Sequence, residues 1–413
     1  MNRIKLNEDW TAAVIGWLSL LITLFKFTPA WPSFGWKNRV EFSEKIVTGH
    51  NLILLSVLFV FILFFVLLAF ILKSSPVKKI VYGYGVIFVI TIVALIIGGN
   101  GTLKSWGLEP VIFSLLIGLA ISNTIKIPVW LRESLSTELF TKIGLVILGA
   151  NVLFTDIIKS GGLGVIQALI VVTSVWYFSY WLCKKLKIDN ELTMMLSSAV
   201  SICGVSAAIA TAGAIKGDSK KLSYVISLVL ITALPMIVLM PYAAGRLGLS
   251  QEVTGAWIGG TIDTTGAVVA ADTLVGDAAL KTSTIVKFSQ NVLLGFAAFF
   301  ISLFWTYSKN NSKDTEKPTL KVIWERFPKF VIGFIFSSLV FSFVISSETL
   351  AGVKDISKNL QSFWFALAFT SIGLETNFRD LIKLDNGKPV IAFLGAQLFN
   401  VFITLIVVYF LFG

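Results

Sequence analysis

The sequence predicts an all-α membrane protein with about 11–13 transmembrane helices. Its 413 residues are 56% hydrophobic and only 14% charged. A soluble protein needs about 25% charged residues to cover its surface, so most of this surface is expected to face lipid. The 34 Phe and 12 Trp residues agree, because Phe suits a lipid-facing surface and Trp favours the headgroup region.

The composition also argues against several function classes. The two cysteines, Cys183 and Cys203, lie in apolar runs and have neither disulfide nor zinc spacing. The single histidine, His50, excludes a multi-histidine metal site, and we expect no metal and no cofactor. The formal charge of +11 comes from Lys and Arg in short loops, where membrane topology requires them. We therefore expect no nucleic-acid partner.

Thirteen apolar segments are candidates for membrane spans, since a hydrocarbon core of ~30 Å needs about 20 apolar residues per helix. The N-terminus is polar and is followed by an apolar run without a small-residue cleavage site, so the first span is expected to be retained. The segment limits are 10–30, 50–72, 80–98, 109–125, 138–155, 162–183, 191–215, 222–245, 253–274, 282–307, 329–346, 359–377 and 388–412.

A polar linker at 308–328 is expected to divide the membrane region into a first part, 80–307, and a second part, 329–413. The helices within 1–79 are expected to be a peripheral addition. Lys and Arg are richer in the loops on the N-terminal side, which predicts a multi-pass protein of the bacterial inner membrane with a cytoplasmic N-terminus.

One internal similarity suggests an inverted repeat. LGANVLFTDIIK (148–159) matches IGLETNFRDLIK (372–383) at positions that include Gly149/Gly373, Phe154/Phe378, Asp156/Asp380 and Lys159/Lys383. The two copies end the fifth and the twelfth segments, an odd number apart, so they would point in opposite directions. Inverted repeats are the usual architecture of secondary transporters. The alternative is that membrane-exit sequences resemble one another by chance.

The segment around 201–206 is the first candidate site. Gly204 would permit a helix break, and a helix restarting at the next residue would point its N–H groups into the site, an arrangement that binds anions. Ser201, Cys203 and Ser206 would add polar groups. The alternative is tight helix packing through small residues.

The second and third candidates are a carboxyl and a lysine in apolar surroundings. Asp263 is followed by Thr264 and Thr265, and an ionisable residue inside a membrane costs ~2.5–3.5 kcal/mol, which marks it as functional. Lys287 and Asn291 share one helix face with Gln290. The lysine could neutralise an anionic substrate or pair with Asp263, which would allow proton coupling. The alternatives are a loop-end aspartate and a lysine that reaches the membrane interface.

The fourth candidate is a second break at 370–375. Thr370 and Ser371 would form it, with Glu375 at its exit, and Gln397 and Asn400 could face the same cavity. The alternative is that these groups make ordinary interhelical hydrogen bonds. The sequence contains no Walker A, G-x-S-x-G or H-E-x-x-H motif, so ATP-driven transport and the common intramembrane hydrolases lose support.

Three runs together resemble the YeiH-type family, whose members are described as sulfate exporters. The resemblance covers about residues 80–413 and implies an architecture similar to the bile acid transporter and sodium/proton antiporter folds. It implies inverted repeats and two broken, crossing helices, near 201–206 and 370–375. This chain departs from many relatives, which carry His-Glu in place of Asp263-Thr264 and a basic residue in place of Gln290. The runs are SSAVSICGVSAAIAT, IGGTIDTTGAVVAAD and SIGLETNFRDLI.

The combined prediction is a secondary transporter, by the resemblance an exporter, of a small anion such as sulfate, sulfite or a sulfonate. It would work by alternating access, driven by an H⁺ or Na⁺ gradient or by the substrate's own gradient, and it is compatible with a homodimer. A channel or facilitator is the alternative, followed by a membrane-embedded enzyme acting on a lipid-linked substrate. Coupling is assigned to Asp263, Lys287 and Glu375. The substrate is assigned to Ser201, Cys203, Gly204, Ser206, Thr264, Thr265, Lys287, Asn291, Thr370 and Ser371.

Overall fold

The computed structural model describes residues 6–25, 27–73, 78–105, 110–308, 321–376 and 387–413. These residues are almost entirely helical, and among them β pairing is limited to one bridge between Trp36 and Asn100. The prediction of an all-α membrane protein is confirmed. In the described ranges, the helices long and apolar enough to cross a membrane are Gly49–Leu72, Ile80–Gly98, Phe154–Lys185, Ser219–Arg246, Asp277–Trp305 and Gly387–Phe412.

The chain forms two compact units. Unit 1 comprises residues 1–155 and 329–377, and unit 2 comprises residues 156–328 and 378–413. One boundary between the units, between residues 328 and 329, falls at the end of the linker expected at 308–328, and the predicted domain division stays a prediction. Of that expected linker, 309–320 lies outside the described residues, and a short helix follows from Lys321. The second repeat copy at 372–383 also lies mostly outside them, so the inverted duplication stays a prediction.

Unit 1 contains the N-terminal helices and two later ones. Side-chain caps set the first helix starts: Asn7 accepts a hydrogen bond from the Trp10 amide at 2.9 Å, and Thr48 accepts one from the Asn51 amide at 3.2 Å. A π-helical turn, Phe42–Ile46, precedes α3. The helices are α1 (Glu8–Leu24), α2 (Arg39–Glu41), α3 (Gly49–Leu72), α4 (Lys78–Gly98), α5 (Gly101–Ser105), α6 (Pro110–Thr124), α7 (Val129–Arg132), α8 (Thr137–Gly149), α17 (Lys329–Phe343) and α18 (Ser347–Glu375).

Unit 2 is built around two interrupted helices. Asp189, Asp218 and Ser250 cap three helix starts with their side chains, as expected for short polar residues at a helix N-terminus. The predicted segments 191–215 and 253–274 are each a pair of shorter helices. The helices are α9 (Phe154–Lys185), α10 (Asn190–Ser201), α11 (Val205–Ile215), α12 (Ser219–Arg246), α13 (Gln251–Thr261), α14 (Thr265–Thr273), α15 (Asp277–Ser308), α16 (Lys321–Arg326) and α19 (Gly387–Phe412).

Helix α1, expected at the periphery, packs against α8 and α17 within unit 1. The Trp17 indole N–H donates to the Gly333 carbonyl at 3.0 Å. The Glu8 carboxylate contacts the Lys142 ammonium at 3.0 Å. Gly16 lies so close to Val146 that a Cβ added to the glycine would be 2.6 Å from the Val146 Cγ1. These contacts make α1 part of the unit's packing.

The break predicted at 370–375 is wrong, because α18 runs without interruption from Ser347 to Glu375. The Thr370 hydroxyl donates to the Ala366 carbonyl at 3.0 Å, and the Ser371 hydroxyl donates to the Leu367 carbonyl at 2.9 Å. Bonds to the preceding turn let both residues stay inside a helix. These hydroxyl groups therefore do not mark a gap in the backbone.

Gly373 serves helix packing. A Cβ added there would lie 2.5 Å from the Leu115 carbonyl oxygen and 2.8 Å from the Gly118 Cα of α6. Two glycines at one crossing let helix backbones approach closely inside a membrane.

Replacing Gly373 with alanine is expected to lower the thermal stability of the detergent-solubilised protein, because backbone atoms cannot move aside as a flexible side chain can. We expect a cost of about 1–3 kcal/mol. Gly85→Ala is the matched control. Gly85 lies in α4 of the same unit, and nothing lies within 4 Å of a Cβ added there. Equal melting temperatures for Gly373→Ala and the unmodified protein would contradict the packing role.

Candidate functional site

The candidate site is formed by the two interruptions in unit 2. The first lies between α10, which ends at Ser201, and α11, which begins at Val205. The second lies between α13, which ends at Thr261, and α14, which begins at Thr265. The break predicted at 201–206 is present. The second break lies beside Asp263, where the sequence analysis predicted a buried carboxyl but no helix break.

The two interruptions touch each other. Gly204 has a φ of +58°, a left-handed value that glycine adopts without a steric penalty. A Cβ at Gly204 would lie 3.1 Å from the Asp263 Cβ and 3.3 Å from the Thr264 Cγ2. The absence of a side chain at Gly204 thus allows one interruption to pass against the other. The two broken helices of unit 2 therefore cross at Gly204, Asp263 and Thr264, and this contact is called the crossing.

Lys287 of α15 joins the C-terminal ends of α10 and α13. Its side chain is 1% exposed. Its ammonium donates to the Ile202 carbonyl at 3.0 Å, to the Ile262 carbonyl at 2.8 Å and to the Gln290 Oε1 at 3.0 Å. Three acceptors match the three N–H donors of a lysine ammonium. A positive charge therefore lies where two helix dipoles end with partial negative charge.

Three amides complete this arrangement. The Gln290 Nε2 donates to the Gly260 carbonyl at 2.9 Å. The Gln397 Nε2 of α19 donates to the Thr261 carbonyl at 3.0 Å. The Asn400 Nδ2 donates to the Thr261 carbonyl at 3.1 Å and to the Val200 carbonyl at 3.2 Å. The C-terminal carbonyls at both breaks are thus satisfied by donors from α15 and α19.

The N-termini of α11 and α14 lie on the other side of each break. The first-turn N–H groups of a helix have no acceptor within the helix and carry partial positive charge. At α14 the Thr264 hydroxyl accepts from the Ala267 amide at 3.3 Å, and the Asn291 Nδ2 donates to the Thr265 hydroxyl at 3.4 Å. At α11 Ser206 is exposed, whereas Cys203 is 7% exposed.

Asp263 lies between the end of α13 and the start of α14. Its side chain is 2% exposed, and its Oδ2 has no hydrogen-bond partner among the described residues. Lys287 lies near enough for an electrostatic interaction with Asp263, but its three hydrogen bonds go to the acceptors named above. The expected Asp263–Lys287 pair is therefore an interaction across the crossing and not a direct hydrogen bond.

The remaining predicted residues have other roles. The Ser201 hydroxyl donates to the Ser197 carbonyl of its own helix at 2.7 Å. Thr370, Ser371 and Glu375 belong to unit 1, where the Thr370 hydroxyl is 2.8 Å from that of Thr91. The Glu375 carboxylate accepts from the Thr137 hydroxyl at 3.0 Å and lines a cavity of about 470 Å³ in that unit. The structure shows no interrupted helix at these three residues.

Two further buried polar residues of unit 2, Gln167 and Asp272, are not among those predicted from the sequence. Gln167 of α9 donates from its Nε2 to the Ala256 carbonyl at 2.8 Å and so ties α9 to α13. Asp272 of α14 is fully buried. An acid after the apolar run AVVAA reads as the end of a membrane segment, and this hid the residue within a longer predicted span.

Comparison with known proteins gives one family. The family model described as conserved hypothetical protein 698 matches residues 82–393. A UPF0324 membrane protein of Rhodopirellula baltica is 40% identical over 338 residues, which are 80% of this chain and 62% of the relative. One of Nitratidesulfovibrio vulgaris is 37% identical over 351 residues, which are 82% and 60%, and one of Nitrosomonas europaea is 28% identical over 436 residues, which are 91% and 89%. The chain spans about three fifths of the first two relatives. No solved structure matches it.

Proposed function

The chain belongs to the conserved hypothetical protein 698 family of membrane proteins, as the YeiH-type resemblance predicted, and we propose that it is a secondary transporter of a small anion. The proposal rests above all on the crossing of the two interrupted helices in unit 2. Irregular backbone inside a membrane is tolerated where it is buried in protein or lines a water-filled cavity. Discontinuous helices are the usual location of substrate sites in secondary transporters.

The charge arrangement at the crossing favours an anion. Lys287 compensates the negative ends of α10 and α13, so their carbonyls are not available to coordinate a cation. The N-terminal ends of α11 and α14 keep their partial positive charge and offer N–H groups to a ligand. Thr264 and Thr265 lie at the start of α14, and Asn291 of α15 contacts Thr265 there. These three side chains would add contacts to the ligand.

The substrate class follows from this chemistry and from the family resemblance. Helix N-termini bind oxyanions through several N–H groups at once, which suits sulfate, sulfite or a sulfonate. The resemblance adds export from the cytoplasm across the bacterial inner membrane, and the distribution of Lys and Arg among the loops predicts a cytoplasmic N-terminus. A channel would move the same anions without saturation, and neither a channel nor a facilitator would couple their flux to an ion gradient. Flux measurements therefore separate both from a secondary transporter.

Asp263 would set the charge of the site. An ionised carboxylate at the crossing repels an incoming anion, whereas the protonated acid does not. Asp263→Asn, which is always neutral, is therefore expected to retain anion flux but to lose its pH dependence or ion dependence. Flux is measured in proteoliposomes over a range of external pH values, at matched amounts of inserted protein.

Asp277→Asn is the matched control, because that aspartate of unit 2 is exposed and should leave the pH profile unchanged. A normal pH or ion dependence in Asp263→Asn proteoliposomes would remove Asp263 from the coupling mechanism. Loss of all flux, with normal folding, would instead place Asp263 among the groups that hold the substrate.

A further inference from the structure

Asp272 is a second buried carboxyl in the helix that begins at the crossing. Its side chain is 0% exposed, and neither carboxyl oxygen has a hydrogen-bond partner among the described residues. Asp263 lies just before the start of α14, and Asp272 lies in its last turn. One half-helix thus has a buried acid near each end.

The surroundings of Asp272 supply no opposing charge. Helices α12, α13 and α15 pack against α14, and the polar group that faces the carboxyl is the Ser283 hydroxyl of α15. That hydroxyl donates to the Leu280 carbonyl at 3.1 Å. No ion pair joins Asp272 to a described residue. The ionisable groups on the three packing helices are Lys220, Lys221, Tyr224, Tyr242 and Arg246 on α12, Glu252 on α13, and Asp277, Lys281 and Lys287 on α15.

These surroundings favour the uncharged form of Asp272. A carboxylate buried without hydrogen bonds or a counter-charge is highly unfavourable, and such a group takes up a proton instead. The position in the last turn acts in the same direction, because negative charge at a helix C-terminus opposes the helix dipole. A sodium ion would need several oxygen ligands, whereas a proton needs only the carboxyl group.

Asp272 also has a short route to water. The residues that follow it, 273–276, are half-buried, and Asp277 is exposed. The chain therefore reaches the surface of the described structure within five residues of Asp272. A small displacement of α14 or of the following loop would expose the acid, which could then release its proton and become a carboxylate.

We propose that Asp272 is a proton-carrying group separate from Asp263, so that two protons accompany each anion through the transporter. Export together with protons is then driven by the anion's own gradient. The proposal rests on the proposed anion transport for its physiological meaning, but the protonation of Asp272 can be tested without any substrate. Two neutralising protons fit a divalent oxyanion such as sulfate, because the loaded protein then moves no net charge.

The substrate-free test is infrared spectroscopy of the full chain in lipid at neutral pH. The infrared difference spectrum between the unmodified protein and Asp272→Asn should contain the carbonyl stretch of a protonated carboxylic acid, because the variant lacks that acid. Asp272→Glu should shift that band, and Asp277→Asn should leave it in place. Absence of the band from the difference between the unmodified protein and Asp272→Asn would show an ionised Asp272 and overturn the proposal.

The transport test uses vesicles that contain a pH-sensitive dye and are supplied with sulfate or a sulfonate, anions that form no membrane-permeant neutral gas. Asp272→Asn is expected to move about half as many protons per anion as the unmodified protein, since one of two carriers is lost. Asp272→Glu should restore the ratio. An unchanged ratio in Asp272→Asn would overturn the proposal. If no anion is transported by the unmodified protein, the proposed function fails, and the infrared result still decides the state of Asp272.

Discussion

Replacing Lys287 with methionine is expected to abolish anion flux and to destabilise unit 2. The ammonium forms three hydrogen bonds that join Ile202 and Ile262, the first residues after α10 and α13, to Gln290. Methionine is similar in length but supplies neither charge nor donors. It would leave two helix ends with uncompensated partial negative charge at the anion site, where they repel the substrate.

The expected cost is about 3 kcal/mol or more in the free energy of unfolding, because buried carbonyls lose donors from a charged group. Lys287→Gln keeps hydrogen-bond donors without the charge and should recover part of the stability but little of the flux. Lys281→Met is the matched control, since that lysine lies on the same helix and is only half-buried. Normal flux with Lys287→Met in stable, correctly inserted protein would contradict the role of the charge.

Replacing Gly204 with alanine is expected to have the second largest effect. The positive φ of +58°, combined with a ψ of −111°, costs about 1–3 kcal/mol for a residue with a side chain. The new methyl group would also lie 2.7 Å from the Val229 Cγ1 and 3.1 Å from the Asp263 Cβ, and crowding of this kind costs about 1–3 kcal/mol. Both effects fall on the contact between the two interruptions.

We expect Gly204→Ala to lose most of its flux and to melt at a lower temperature. Gly162→Ala in α9 is the matched control, because it is helical, belongs to the same unit and has nothing within 4 Å of an added Cβ. Alanine should be tolerated there or slightly stabilising, given its higher helix propensity. Retained flux in Gly204→Ala at the level of the control would show that close contact of the breaks is not required.

The sequence predicts the membrane class and the first interruption because both depend on local features. Long apolar runs can be recognised from composition alone, and they predict the membrane class. Gly204 between Ser201 and Ser206 is a local signal for a helix break. The second interruption was predicted in the wrong place. Thr370 and Ser371 look like breakers, yet their hydroxyls bond to the preceding turn, and Gly373 is explained by its contact with Gly118 in another helix. Such a contact is invisible in a single sequence.

The roles of the polar side chains were also beyond the sequence. Lys287 and Asp263 both stand out as ionisable residues in apolar runs, but spacing cannot show that the lysine bonds two carbonyls from separate helices. Gln397 and Asn400 were expected near a cavity, and the structure shows that they cap Thr261 and Val200. The burial of Asp272 follows from the interruption before α14, which makes α14 a short and buried helix. The sequence pattern around Asp272 does not show that interruption.

The most direct test of the central claim is an uptake screen in proteoliposomes over sulfate, sulfite, sulfonates, bicarbonate and small carboxylates, with the unmodified protein and Lys287→Met side by side. We predict saturable uptake of at least one anion by the unmodified protein, accelerated by the same anion on the opposite side, and only background uptake by Lys287→Met. Absence of anion uptake by the unmodified protein, or equal uptake by the two, would contradict anion transport through the crossing.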